Sequence, residues 1–516
     1  MVKAPEVVGC ACCSRRRFLA GCGGLALAPL AGRRAVAAGR ADKTRIRVVY
    51  ALHAPVQPGP DWPNKGFDFR PVMERFETEL PKRCPGFEFL PTLATGPEEA
   101  AKILAQDAAS PVDGYLVFQM NCWNKVVQTF VPTGKPVLYA DYAYSGSGGF
   151  LVYTAGFLRQ RAPNLGFVAS SRIEDLAAAV DCFAAAKKEG PKFDFAAATA
   201  KVRVASTPRP GDLACRPDPL KPVPTDEVLR LLGLSRILVV RDDKTSGPAK
   251  PILDVAVENV TFAEVNESWK NADRDEARAV ADRWQKKARI MEGVSRETLE
   301  SSAAMYLGMK EVLRKHGANA ITINCLGGFY GGHIHAYPCL GFHELCNEGL
   351  VGACEADVTS TATQLVMAAM TGGRTGFISD PVIDTARRQI VYAHCVAPNR
   401  AFGPEGEANP YEILTHSEDR QGASVRSLLP LGHMTSTVEF SPERKLILFH
   451  QGKAVANSPD DRACRTKLAV EPVGDIEKLF GEWDQWGWHR VTVYGDLKAP
   501  VYGLADALGW KVLEEA

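Results

Sequence analysis

Long apolar runs are missing from this 516-residue chain; none reaches the roughly 18 residues that a membrane-spanning helix takes. An excess of one charge is missing too. Sixty-one Lys and Arg face 60 Asp and Glu, leaving a net charge of +1. That balance argues against nucleic acid or a membrane surface as the main partner. The ten cysteines beyond residue 38 form no CxxC pair. Many, such as Cys325, Cys339, Cys354 and Cys395, sit in apolar contexts, so buried thiols are expected rather than a disulfide framework. The glycine-rich stretch Ser145–Gly149 lacks a following lysine, which excludes a phosphate-binding P-loop. It reads as a plain turn, with a ligand-lining loop as the alternative.

What is present begins with a leader, residues 1–38. Ser14-Arg15-Arg16-Arg17-Phe18-Leu19 is a twin-arginine pattern, followed by a modest apolar run, Leu25–Leu30, and by the small residues Ala35-Val36-Ala37. Export by the twin-arginine route to the periplasm, or another space outside the cytoplasm, is expected. A lipoprotein-like Leu19-Ala20-Gly21-Cys22 comes too early, with almost no apolar run before it.

The remaining chain alternates strand and helix patterns twice. Segments at Arg45–Leu52, Phe87–Leu90, Gly114–Phe118 and Pro136–Ala140 read as strands. Val72–Leu80, Pro97–Gln106 and Cys122–Thr129 between them read as helices. This order predicts a parallel sheet with helices on both faces, a first domain at 44–185. Residues 186–232, Pro-rich over 208–224, read as a connection. A second α/β domain at 233–380 follows, with long helices at Asp273–Ala288 and Ser295–His316. Beyond 381 the segments at 424–428, 434–440 and 445–450 are short and alternating, which predicts a β-rich, antiparallel, barrel-like C-terminal domain, 381–516. His433 and His450 flank those strands and are expected to face solvent.

The stretch Val351–Cys395 concentrates candidate chemistry. Glu355 follows one apolar run, Asp380 a second and His394 a third. Strand ends of an α/β sheet are where ligand-handling side chains gather, and these are the donors a divalent cation takes. The bland alternative is three unrelated loop residues. Asp357 fits either an N-cap for the next helix or a carboxylate supporting a ligand. His333 and His335 alternate on a loop after Gly331-Gly332 and are a further candidate pair. Trp486 and Trp488 near His489 fit either a stacking wall for a sugar or core packing.

Several phrases together resemble the metal-binding core of the L-fucose and L-arabinose isomerases. They are Pro338-Cys339-Leu340, Asn347-Glu348-Gly349, Cys354-Glu355-Ala356-Asp357, Asp380-Pro381, Ala393-His394-Cys395 and the tail Trp488-His489-Arg490 to Asp496. The resemblance implies two Rossmann-like α/β domains before the β-rich domain. It implies a divalent metal, most often Mn²⁺, on Glu355, Asp380 and His489, with Glu355 and Asp380 also catalytic and His394 a further candidate ligand. It implies a ketol isomerase working on a carbohydrate through an enediol. A homo-oligomer is also expected. An exported sugar-binding protein without turnover is the alternative from another class, and metal-dependent hydrolysis or epimerisation on the same scaffold is a third.

Overall fold

The structure is a computed structural model that describes residues 43–516. The twin-arginine leader lies outside the described residues. Strands β1 (Thr44–Ala51), β2 (Phe87–Ala94), β3 (Gly114–Gln119), β4 (Val137–Asp141) and β5 (Leu165–Val168) form a parallel sheet in the order β2-β1-β3-β4-β5. Neighbouring residues of these strands feed opposite faces. Val49, Val117 and Tyr139 join one core, while Val48, Leu116 and Leu138 join another. Burial on both faces explains the apolar character of β3 and of the second half of β1, whereas the edge strand β2 stays partly exposed and carries Glu88.

The second sheet contains β6 (Arg236–Val240), β7 (Gly247–Ile252) and β8 (Val255–Val260). The short β9 (Ile290–Glu292) leaves it, and β10 (Ala320–Ile323) and β11 (Val351–Cys354) complete it, in the order β11-β10-β6-β8-β7. Only β7 runs antiparallel, at the edge. It tolerates Pro248 and Pro251 there because one side of an edge strand has no ladder to serve.

The barrel begins with β12 (Phe377–Asp384), ahead of the expected handover at 381, and continues with β13 (Gln389–His394). β14 (Tyr411–Leu414) and β15 (Ser424–Ser427) step out to pair with β9. The expected barrel strand at 424–428 therefore belongs to a separate three-stranded sheet. β16 (Met434–Ser441), β17 (Leu446–Asn457), β18 (Thr466–Pro472) and β19 (Arg490–Tyr494) close the ring β16-β19-β12-β13-β18-β17, because β16 also pairs with β17. β20 (Lys511–Glu514) adds to β17 in parallel. Closure leaves the six-stranded ring without an open edge of its own.

Three local expectations change. The helix foreseen over Cys122–Thr129 shrinks to Val127–Phe130, because Trp123 and Lys125 adopt positive φ. Asn124 reaches across to the carbonyl of Ala51 and accepts from the backbone N–H of Val126. Ser145–Gly149 is not a plain turn: a helix, Ser147–Gln160, starts inside it. Gly148 has no room for a side chain, since a Cβ there would lie 2.3 Å from the Trp488 ring. Residues 208–224 carry no helix or strand, yet they are tied to the barrel side. Arg216 N–H donates to Gly432 at 2.7 Å, and Asp218 pairs with Arg374.

Candidate metal centre

Glu355 stands where β11 ends. β11 lies parallel to β10, and the backbone N–H groups of Glu355 and Ala356 both donate to the carbonyl of Ile323. The chain then turns sharply with φ of 90° at Glu355 and 57° at Ala356. Positive φ is uncommon for residues with a side chain, and such strain concentrates at functional sites. Asp357 follows as the N-cap of the helix Val358–Thr371, accepting from Ser360 N–H at 3.0 Å.

The barrel supplies the facing groups from three adjacent strands. β12 pairs with β19 on one side, through Ser379 and Arg490, and with β13 on the other, through Asp380 and Ala393. His489 immediately precedes β19, Asp380 lies within β12 and His394 ends β13. The sheet register therefore sets the three side chains at one rim, against Glu355.

One donor atom each from Glu355, His394 and His489 lies within 4.8 Å of the other two. Asp380 Oδ1 is 3.0 Å from His489 Nε2, and Asp380 Oδ2 is 3.9 Å from His394 Nε2. Glu355 Oε2 is 3.9 Å from His489 Nε2. His394, His489 and Asp380 are buried, whereas the Glu355 side chain keeps 22% exposure. Both ring nitrogens of His394 are buried without a hydrogen-bond partner, and Asp380 Oδ1 and His489 Nε2 face each other at 3.0 Å without hydrogen-bond geometry. Buried polar atoms are almost always satisfied, so several left over in one place mark a site built for something else. Two imidazole nitrogens and two carboxylates suit a first-row divalent cation. His489 adds the usual support of a metal-binding imidazole, since its Nδ1–H donates to Asp357 Oδ2 at 3.0 Å. Asp357 thus caps the helix and also accepts from His489.

The groups of the cluster are perturbed in different directions. Burial pushes the Glu355 carboxyl up to about 8, against the lowering influence of His489. Burial holds the His394 pKa below its ordinary value. At His489 burial opposes the charged form, but the Asp357 and Asp380 carboxylates outweigh it and hold the imidazole well above its ordinary pKa.

The other candidates separate. His333 and His335 are exposed and lie against Phe262 and Trp269, so the structure does not bring them to this cluster. Their alternation on the loop follows that packing. Trp488 stacks on His489, with ring centroids 5.2 Å apart, and touches Trp62 and Trp123 of the first α/β unit. Trp486 instead packs beneath Arg444. Among the described residues all ten cysteines are free. Cys464 Sγ lies 3.8 Å from Asp380 Oδ2.

Two further acids, Glu418 and Asp61, were not singled out from the sequence. Glu418 accepts from the Tyr330 hydroxyl at 2.7 Å, and burial pushes its carboxyl up to about 7. Asp61 pairs with His53 at 2.8 Å. The polar run His416-Ser417-Glu418-Asp419 between two strands was the available signal for the first; Asp61 had none.

No protein-family model matches the chain. It is 24% identical over 208 residues to the sulfoquinovose isomerase of Priestia aryabhattai, covering 39% of this chain and 45% of that protein. It is 25% identical over 239 residues to the sulfoquinovose isomerase of Clostridium sp. (strain MSTE9), covering 42% and 49%. The chain thus spans about half the length of the curated relatives it matches. Among solved structures, a carbohydrate transporter from Acidothermus cellulolyticus 11B in complex with myo-inositol is similar at a TM-score of 0.17 and 13% identity, covering 57% of this chain and 79% of that one. That likeness carries no argument.

Proposed function

We propose that the chain is a metal-dependent aldose–ketose isomerase acting on a sugar or sugar derivative. The observation that carries this reading is the set of unpartnered buried atoms of Asp380, His394 and His489 converging beside Glu355. The sugar-isomerase names of the curated relatives agree with it in reaction class.

Glu355, Asp380 and His489 would hold a divalent cation, Mn²⁺ by the family resemblance, and His394 would join them. When bound, it supplies Lewis acidity to two neighbouring substrate oxygens. The chain's own residues do the rest. Glu355, which keeps part of its side chain exposed beside the cluster, is the group assigned to move the proton between C2 and C1. Asp357 fixes the His489 ring through Nδ1, so that Nε2 faces the site. Trp488, flanked by Trp62 and Trp123, offers an apolar wall beside the sugar and keeps water from that side. Glu418 is placed to hold a hydroxyl proton with Tyr330.

The test is ketose formation by the full chain with Mn²⁺ across a panel of aldoses, sulfoquinovose included. Turnover that chelation and Glu355→Gln both abolish is expected. Absence of turnover on every aldose, with wild-type sugar binding, would favour the exported binding protein instead. We also propose export through Arg15 and Arg16. Replacing both with Lys should hold the precursor in the cytoplasm, and unchanged fractionation would refute it.

A further inference from the structure

A second cavity opens at the C-terminal edge of the first sheet, sharing no residue with the metal cluster. Its volume is about 480 Å³, within the range of small-ligand sites. Asp141 closes β4 at its wall, and Arg462 reaches in from the segment before β18. Open α/β sheets take ligands at this end of their strands.

Two buried atoms in that wall have no hydrogen-bond partner, Asp141 Oδ1 and Arg462 Nη1, the Arg462 guanidinium lying 4.8 Å over the Tyr142 ring. Their other polar atoms are committed. The Ser147 hydroxyl donates to Asp141 Oδ2 at 2.8 Å, and Arg462 Nη2 and Nε pair with Asp460 at 2.6 and 3.0 Å. One orphan accepts and the other donates. A hydroxyl-bearing ligand satisfies both, whereas leaving both buried and unpaired is costly. Burial also pushes the Asp141 carboxyl up to about 7, as expected of an acid short of partners.

The remaining walls narrow the chemistry. Phe76 stacks on Phe118 at 4.4 Å and meets Tyr142 edge-on at 6.5 Å, giving an apolar face against which the C–H side of a pyranose packs. At the mouth, Arg75 makes no hydrogen bond or ion pair among the described residues, and Arg387 reaches Asp384 only at 3.7 Å. Weakly committed guanidiniums suit an anionic group.

We propose that this cavity is a second, non-catalytic binding site for an anionic monosaccharide, its hydroxyls held by Asp141 and Arg462 and its acid group by Arg75 and Arg387. β12 links the two places, carrying Asp380 to the metal cluster and Val382 and Asp384 to the cavity wall. The assignment stands whether or not the chain is an isomerase.

Methyl glucuronide is the probe, because a locked glycoside cannot open to an aldehyde. It is titrated calorimetrically into the full chain beside methyl glucoside and sodium sulfate. Saturable binding is expected, weakened at least about tenfold by Asp141→Asn and by Arg462→Gln. Glu355→Gln should leave it unchanged, and methyl glucoside should bind more weakly. Arg75→Gln at the exposed mouth should weaken binding too, and keeps the test readable if a buried substitution misfolds. No saturable binding would overturn the proposal. So would binding that Glu355→Gln abolishes and Asp141→Asn spares, or sulfate binding as tightly as the glucuronide.

Discussion

His489 and Arg490 are neighbours in the chain and face opposite fates. Arg490 is fully buried in the barrel, and its guanidinium is used up. Nη2 donates to Glu515 Oε1 at 2.9 Å, Nη1 donates to the carbonyls of Gly487 and His489, and the group stacks 3.9 Å over the Trp483 ring. His489 is just as enclosed, yet its Nε2 has no hydrogen-bond partner. The two glutamates opposite them differ in the same way. Burial alone would raise both; it lifts Glu355 to about 8, whereas the fixed charge of Arg490, with His450 beside it, overrides it and brings Glu515 down to about 2. Arg490 spends its donors on the fold, whereas His489 Nε2 at the rim does not.

The strongest way to break that contrast is to mutate each side. Glu355→Gln removes the titrating carboxyl, and ketose formation should fall by about 10²–10⁴-fold. The urea midpoint of the metal-free protein should stay near wild type. Arg490→Gln should do the reverse. It strands Glu515 in the core without its guanidinium, and removing one partner of a buried pair costs about 3–5 kcal/mol. A wild-type urea midpoint for Arg490→Gln would end the claim that this residue holds the barrel.

The fold was legible where periodicity was strong. The central strands of the first sheet, such as Gly114–Gln119, are buried, largely apolar runs, and the order of elements announced the parallel sheet. β7 and β8 escaped because Gly247–Ile252, with two prolines, reads as a loop until an edge is there to receive it. The site was partly legible. Glu355, Asp380, His394 and His489 each border an apolar run, and the structure brings them together. Two further acids were not legible in the same way. Glu418 and Asp61 lie in irregular segments whose positions depend on tertiary contacts. His450 was expected in solvent and is buried instead, beside Tyr392 and 3.0 Å from Glu515. Alternation along β17 shows that a residue faces one side, but not that a closed ring puts that side in the core.

The same contrast has a pH signature. Glu515 has a folded pKa of about 2, below its unfolded value near about 4.3. Its contribution is therefore fully present above the unfolded pKa and is lost as pH falls from there through 2. Linkage puts that contribution on the order of 3 kcal/mol. Unfolding free energy measured between pH 5 and pH 2 should fall less steeply for Glu515→Gln than for the wild type. Parallel curves would show that Arg490 does not hold that carboxyl ionised.

The finest test lies at Asp357, which belongs to both sides of the comparison. Its Oδ1 caps the helix Val358–Thr371, a structural duty, while its Oδ2 accepts the Nδ1–H of His489, a duty to the site. Asparagine caps a helix about as well as aspartate, so Asp357→Asn should leave stability within a few tenths of a kcal/mol. It removes the charge that orients and polarises the imidazole, and loss of such a supporting carboxylate typically weakens metal binding by about 10–100-fold. Asp357→Ala should show the same loss of metal affinity plus roughly 1 kcal/mol of lost stability from the missing cap. Metal titration and urea unfolding of both variants separate the two duties. Wild-type metal affinity in Asp357→Asn would mean that His489 needs no carboxylate behind it, and that Asp357 is a helix cap alone.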